Sequence, residues 1–390
     1  MTIFTITHHD GNARSGLLQT AHGTIETPFF MPAATKATGK IITTDDYKNL
    51  GTDTTTKALI SNALILSLQP GIETIKKAGG LHQFMNFSGI IFTDCGGFQM
   101  SRSIFDTKSK KGIHFRNPYD NSKVVLTPKK IMEIELTIGS DIAMMLDDMS
   151  NYGATREEAT IAMENTHRWG EESLKQHRQL KQNHQHEKQL LFGIVQGNFY
   201  PDLRERSAKF INSLDFDGIA IGGVAIGEPK EEMYNAVDAA LPHITKDKPR
   251  YVMGVGSPEE LLELIGRGID CFDSVYPTQV ARHHTLFTQN GKISIDRKEY
   301  AQDFTPIDEH CACHTCQQYT KAYLYHLCKV HEPIVKRLKS IHNLYFIQRL
   351  MEGAREAIKR NEFQKFKREF IACFSKTKNE KNDTITETKN

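Results

Sequence analysis

The chain has 390 residues, 39% of them hydrophobic and 25% charged, with a formal net charge of +2. These values describe an ordinary globular protein, with room for two or three average domains or one large α/β barrel carrying an insertion. They exclude a nucleic-acid affinity that rests on overall charge, so any basic surface must be local.

Short apolar runs end in glycine or acidic residues and are followed by helical spacing. In chain order they are Ile90–Thr93 before Asp94-Cys95-Gly96-Gly97, Ile142–Leu146 before Asp147-Asp148, and Leu190–Val195 before Gln196-Gly197. Gly218–Ile221 precedes Gly222-Gly223, Tyr251–Met253 precedes Gly254, and Cys271-Phe272 precedes Asp273. The spacing predicts helices over 156–181, 203–214, 231–241 and 258–266. Buried strands alternating with helices predict a mostly parallel sheet: an eight-stranded (β/α)8 TIM barrel, or a doubly wound open sheet. In a barrel the residues that end each run fall on the C-terminal rim, where active sites of this fold lie.

Beyond about residue 292 the pattern changes. Residues 303–316 read as loop, and the helices that follow are rich in Lys and Arg, from Lys336 to Arg368. That stripe is either a solvated face or a phosphate-contacting one. Residues 376–390 are polar and aperiodic, the composition of a disordered tail. Within the loop, Cys311, Cys313 and Cys316 lie too close together for all three to pair as disulfides, and they can converge on a metal. With His342, or with His314 inside the loop, they make the three-thiolate, one-imidazole set that zinc takes in structural sites. Such thiols point to a reducing compartment. The opening Met1-Thr2-Ile3-Phe4 carries no signal-peptide pattern, and no apolar run is long enough to cross a bilayer. A cytoplasmic location is the expectation.

Asp94, Asp147 and Asp273 all stand where predicted strands end. Singly, each could be a helix N-cap. Together, and beside Gly-Gly pairs that let backbone N–H groups approach a ligand, they suit cleavage of a bond to a sugar's anomeric carbon. Gln196 offers a donor and an acceptor to a purine-like edge, and an aspartate reads an amino-imino edge. No Walker loop and no dinucleotide glycine fingerprint is present.

These stretches, together with Phe92–Gln99, Phe192–Gly197, Pro249–Gly256, Gly268–Asp273 and Ile341–Leu344, resemble the tRNA-guanine transglycosylases, or queuine tRNA-ribosyltransferases, along nearly the whole chain. The resemblance implies a barrel over residues 1–375 with an inserted zinc-binding subdomain at about 295–350. It implies Asp273 as nucleophile on the anomeric carbon of a tRNA guanosine and Asp94 as general acid/base. Asp147, Gln196, Gly223 and the adjoining Val224 would read the base, with Phe98 and Met253 stacking on its faces. Thr278, Gln279 and Arg282 would contact tRNA. It further implies Cys311, Cys313, Cys316 and His342 as ligands of one structural Zn2+, and a homodimer. The partners implied are a tRNA with a G-U-N anticodon and an incoming 7-deazaguanine base, either 7-aminomethyl-7-deazaguanine or queuine. Cys95, Gln279 and the bulky Met149 and Ile226 depart from the family's usual residues, the last two hinting at a small 7-substituent. Base exchange at another tRNA position or in DNA, and a non-catalytic tRNA-binding subunit, are the rival readings.

Overall fold

The computed structural model describes residues 2–52, 54–96, 105–182 and 188–374. Its centre is a ring of eight parallel strands: β1 (Phe29–Pro32), β2 (Ala58–Asn62), β3 (Ile90–Asp94), β4 (Ile142–Met144), β5 (Leu190–Val195), β6 (Gly218–Ile221), β7 (Arg250–Val252) and β8 (Cys271–Ser274). Each pairs with its neighbour in chain order, and β8 returns to β1. The last seam, between β1 and β2, is closed by the single bridge Ala33↔Ile60 and the Ala34 N–H to Ile60 carbonyl bond of 2.6 Å. The ring is therefore a (β/α)8 barrel and not an open sheet. The wholly apolar runs are what strands buried on both faces require.

Alternation along each strand decides what fills the ring. Phe92 lies two residues before Asp94 on the same face, and its ring meets Phe192 and Tyr251 edge-on at 5.8 and 6.0 Å. These aromatics, all fully buried, plug the barrel beneath the carboxylates. Thr93 points the other way, into the layer between strands and helices, where its hydroxyl meets Glu135 and Ser140.

Four helices follow the strands close to where the spacing put them: Arg156–Lys181, Pro201–Ser213, Lys230–Ala240 and Pro258–Ile265. The first opens on a capping box between Thr155 and Glu158. The helix Ile334–Lys359 occupies the eighth helical position. It reaches β1 through Gln348 to the Phe30 carbonyl (3.2 Å) and Arg355 to the Pro28 carbonyl (2.7 Å). Between β8 and this helix lie the hairpin Thr285–Thr288/Gly291–Ser294 and the short helices His314–Gln318 and Lys321–Lys329. A second inserted sheet, spanning 105–126, precedes the helix Pro128–Ile138. The tail over 376–390 lies outside the described residues.

Part of the basic stripe proves to be internally matched. Arg337 pairs with Asp46, Arg349 with Glu352, Lys359 with Glu26 and Glu356, and Lys367 with Glu263. Lys339 is fully buried against His284. Glu352 and Glu356 lie one turn from their partners, whereas Asp46, Glu26 and Glu263 are distant in sequence and gave no local signal.

An antiparallel sheet, Phe4–Asp10, Ala13–Thr20 and Gly23–Thr27, packs at the N-terminal end of the barrel. Asp141, just before β4, ties it down. Its carboxylate accepts from the His22 backbone (3.0 Å) and ring (2.9 Å), the His82 ring (3.0 Å) and the Ile91 N–H (2.9 Å). Burial works against its charge, but these donors hold Asp141 well below the ordinary carboxylate value of 3.8. A depressed folded-state pKa adds stability at pH above that value and loses it as pH falls toward the folded one. Asp141→Ala should therefore cost about 3 kcal/mol at pH 7, in the range for breaking a buried charged pair. In urea unfolding, the gap to wild type should narrow below about pH 4; an equal gap at pH 3 and pH 7 would remove the charge from the account.

Candidate active site and metal centre

The C-terminal rim of the barrel encloses a cavity of about 310 Å³. Its walls carry Asp94, Asp147, Gln196, Gly223, Val224, Met253, Asp273 and Gln279 from the set the sequence suggested, and also Met149 and Ile226. Phe98 lies outside the described residues. Thr278 and Arg282 sit one turn apart on the helix Tyr276–Arg282 that follows β8. Thr278 donates to the Val275 carbonyl (3.0 Å), whereas Arg282 has a buried Nη1 without a partner among the described residues.

Among the described residues, no Lys, Arg or His lines this cavity. The carboxylates are instead held by neutral donors. Tyr251 Oη and the Gly254 N–H both donate to Asp273 Oδ1, at 2.6 and 2.9 Å. Gln196 Nε2 donates to Asp147 Oδ2 at 2.6 Å, and the Cys95 thiol reaches Asp147 Oδ1 at 3.4 Å. Burial, then the charges of Asp147 and Asp273, push Asp94 up to about 7, with the Gly96 N–H and Cys95 pulling the other way. Burial also raises Asp147 and Asp273, against the hydrogen bonds just named. A carboxyl poised near neutrality beside two others is the arrangement in which one group can exchange a proton while another attacks.

The glycine pair after β6 is required by Gln196. A Cβ at Gly222 would stand 2.8 Å from Gln196 Nε2, and one at Gly223 2.4 Å from its Oε1, where φ is +64° as well. Behind this turn lies Arg204, fully buried, donating to the carbonyls of Asn198 (2.5 Å), Val195 (3.1 Å), Gly222 (2.7 Å) and Gly223 (3.0 Å). With those carbonyls turned toward Arg204, the ends of β5 and β6 are fixed in one piece. Sequence reasoning missed it, because an Arg inside a helix reads as a surface residue. It also missed Tyr251 as a donor to Asp273, and Lys108. The latter reaches from the inserted sheet to the Asp148 carboxylate and to the Met149 carbonyl (2.8 Å).

The ligand atoms of Cys311, Cys313, Cys316 and His342 all lie within 4.8 Å of one another. The three sulfurs stand 3.7, 3.5 and 3.4 Å from His342 Nδ1. For a tetrahedral zinc, bond lengths of about 2.3 Å to sulfur and 2.0–2.1 Å to nitrogen place these atoms about 3.6 Å apart. His342 Nε2 meets the Phe287 carbonyl at 2.6 Å, which puts the proton on Nε2 and frees Nδ1 for a metal. His314 is exposed and outside the cluster, so the geometry selects His342. The neighbouring Asn343 ties the same helix to Pro277, Thr285 and Phe287. A second grouping, His22, His82 and Asp141, does not suit a metal: its imidazoles stack 3.6 Å apart at 17°, so their in-plane lone pairs cannot meet at one ion.

A (β/α)8 barrel with a carboxylate cluster on its C-terminal rim suits an enzyme that works on sugar bonds, and the Cys3His cluster could hold a metal. The comparisons narrow it. The family model described as queuine tRNA-ribosyltransferase matches residues 10–376. A queuine tRNA-ribosyltransferase of Desulforamulus reducens is 46% identical over 364 residues, covering 93% of this chain and 95% of its own. One from Geobacillus kaustophilus is 44% identical over 363 residues, covering 93% of each. The chain belongs to the queuine tRNA-ribosyltransferase family, and so to the glycosyltransferases. Among the described residues, no helix is long and apolar enough to cross a membrane.

Cys313→Ser should lower bound metal below one per chain and lower Tm, because a closed structural site contributes directly to folding. His314→Ala should leave both unchanged. Metal analysis on the purified chains distinguishes them, and stoichiometric metal in Cys313→Ser would show the ligand set to be wrong.

Proposed function

We propose that this protein exchanges guanine at the wobble position of G-U-N anticodon tRNAs for a 7-deazaguanine, as a step of queuosine synthesis. The observation that carries the reading is the convergence of Asp94, Asp147 and Asp273 in one cavity that no Lys, Arg or His lines among the described residues. Asp273 attacks C1′ of the target nucleoside, the C1′–N9 bond breaks, and Asp94 gives its proton to the departing guanine. The resulting ester splits one hard displacement into two easier ones. The incoming base then loses its N9 proton to Asp94, and N9 attacks C1′ and expels Asp273. Two inversions restore the β configuration. Tyr251 and the Gly254 N–H suit this role, since they stabilise the carboxylate both before attack and after release.

Asp147 takes the N1–H and 2-amino edge of the base. The Gly223 N–H and the second amide hydrogen of Gln196 take the 6-oxo group, while the first stays on Asp147. Met253 stacks on one face, and Phe98 is assigned the other. Met149 and Ile226, both in the wall, favour 7-aminomethyl-7-deazaguanine over queuine. Thr278, Gln279 and Arg282 face the RNA, and the unpartnered Arg282 Nη1 supports a phosphate there.

We assign residues 1–375 to one barrel unit with a zinc-binding subdomain at about 295–350. The metal would be held by Cys311, Cys313, Cys316 and His342 and would supply structure, not chemistry. Exposed Phe304, Tyr323, Val330 and Ile334 in and beside that region support a second copy as its cover, which sedimentation of the chain tests. Reduced thiols agree with a cytoplasmic location.

Labelled guanine should enter a G-U-N tRNA and not the same tRNA with its wobble G replaced by A. Asp273→Ala should abolish exchange together with the denaturation-resistant RNA adduct. Incorporation into neither tRNA by folded, metal-loaded protein would move the reading to another nucleic acid or to a non-catalytic subunit. Asp94→Asn should cost about 10²–10⁴-fold in rate. With the acid at about 7, wild-type exchange should fall as pH rises above it, because the proton-donating form is lost. At low pH it should fall as Asp147 and Asp273 become protonated. A pH–rate profile without an alkaline limb would take the acid role from Asp94.

A further inference from the structure

At the end of the barrel opposite the carboxylates, Arg14, Arg250 and Asp270 lie together, 2%, 8% and 0% exposed. Arg14 is fully engaged. Its Nε and Nη2 donate to Asp270 at 3.0 and 2.5 Å, and its Nη1 and Nη2 to the carbonyls of Lys246 (2.6 Å) and Lys248 (2.9 Å). Arg250 reaches that carboxylate with its backbone N–H alone, at 2.7 Å. Of its guanidinium, Nη2 donates to the Ile244 carbonyl at 2.6 Å, Nε is buried with no partner, and Nη1 makes no hydrogen bond to the described residues. Arg14 thus takes up the Asp270 carboxylate, and among the described residues the Arg250 guanidinium makes no ion pair of its own. Burial, then the charge of Arg14, brings Arg250 down to about 10, still cationic at neutral pH. A buried charge left uncompensated is costly, so the site calls for a counter-charge.

A cavity of about 520 Å³ opens beside it, with Asn12, Asn212, His243, Lys246, Arg250 and Arg267 in its walls and Asp238 as its one acidic lining residue among those described. Arg267 is already matched, by Asp238 (3.0 Å) and Glu263 (3.1 Å). Asn212 Oδ1 accepts from the Thr245 N–H at 2.9 Å, so its amide nitrogen remains as a donor. Gly268 leaves the guanidinium uncovered: a Cβ there would stand 3.4 Å from Arg250 Nη1. The unmatched groups are therefore donors and cations: Arg250, the Asn212 amide and the exposed Lys246. That set fits the oxygens of a multiply charged anion.

We propose that this cavity binds a phosphate-type oxyanion, inorganic phosphate or a small phosphate monoester, with Arg250 as its buried anchor and Asn212 and Lys246 at its mouth. The site is separate from the carboxylate cavity and does not rest on the base-exchange reading.

The test is calorimetric titration of the full chain with inorganic phosphate, and in a second arm with glycerol phosphate, at fixed ionic strength in chloride. Wild type should bind one equivalent saturably in at least one arm; the tighter arm identifies the free ion or the ester. Asn212→Asp keeps the acceptor for the Thr245 N–H but places a carboxylate in the cavity, and should weaken binding at least about tenfold. Lys246→Glu, on the exposed mouth, should weaken it in the same direction. Absence of saturable binding to wild type in both arms overturns the proposal. So does undiminished binding to folded Asn212→Asp, because the anion would then sit elsewhere.

Discussion

Three carboxyl groups share one small cavity without a cation among the described residues that line it, and the arrangement around them follows from that constraint. Like charges drawn out of water repel and resist ionisation. The fold answers with neutral donors, each bound to one carboxylate oxygen: a tyrosine and a backbone N–H for Asp273, an amide and a thiol for Asp147. Among the described residues Asp94 is supported only by the Gly96 N–H and Cys95, and burial beside the other two carboxylates raises it to about 7. A lysine placed among them would have quieted the repulsion and equalised the three. Leaving it out keeps their proton affinities apart, which is what chemistry with two distinct carboxylate roles needs.

The supports are themselves held from behind. Gln196 can reach Asp147 only because Gly222 and Gly223 leave room for its amide, and those glycines keep their course because Arg204 gathers their carbonyls. Asp148 plays a similar part on the other side, joined to Lys108 and Asn165. The rim thus rests on Arg204 and Asp148, buried polar residues that do not line the cavity. Such residues trade a high cost of burial for a fixed geometry, since a half-satisfied network would be worse than an apolar one.

Much of this was legible in the sequence because the barrel writes its strands as short apolar runs with chemistry at their ends. Six of the eight strands, four helices and the Cys3His set could be read that way. β1 and β2 could not: Phe29–Pro32 is four residues ending in proline, and Ala58–Asn62 follows a threonine-rich loop with no flanking punctuation. The N-terminal sheet and the inserted sheet were missed because their strands are half-exposed and mixed in character. Partnerships across long separations, such as Arg14 with Asp270 or Lys108 with Asp148, leave no local signal at all. The choice between His314 and His342 needed the fold, which gathers His342 with the three sulfurs and leaves His314 exposed outside them.

The helix Ile334–Lys359 meets β1 through hydrogen bonds that span 318 and 327 residues. Contacts of such sequence separation are slow to find. During synthesis the first strand of the ring must therefore wait, one flank uncovered, until almost the whole chain has left the ribosome. The β8–β1 seam, which joins Cys271 to Phe29, cannot pair before the last strand is made. Such a barrel is assembled in the order of its walls and sealed by its final helix, so its nascent form is a natural client for chaperones that shield unpaired strand edges.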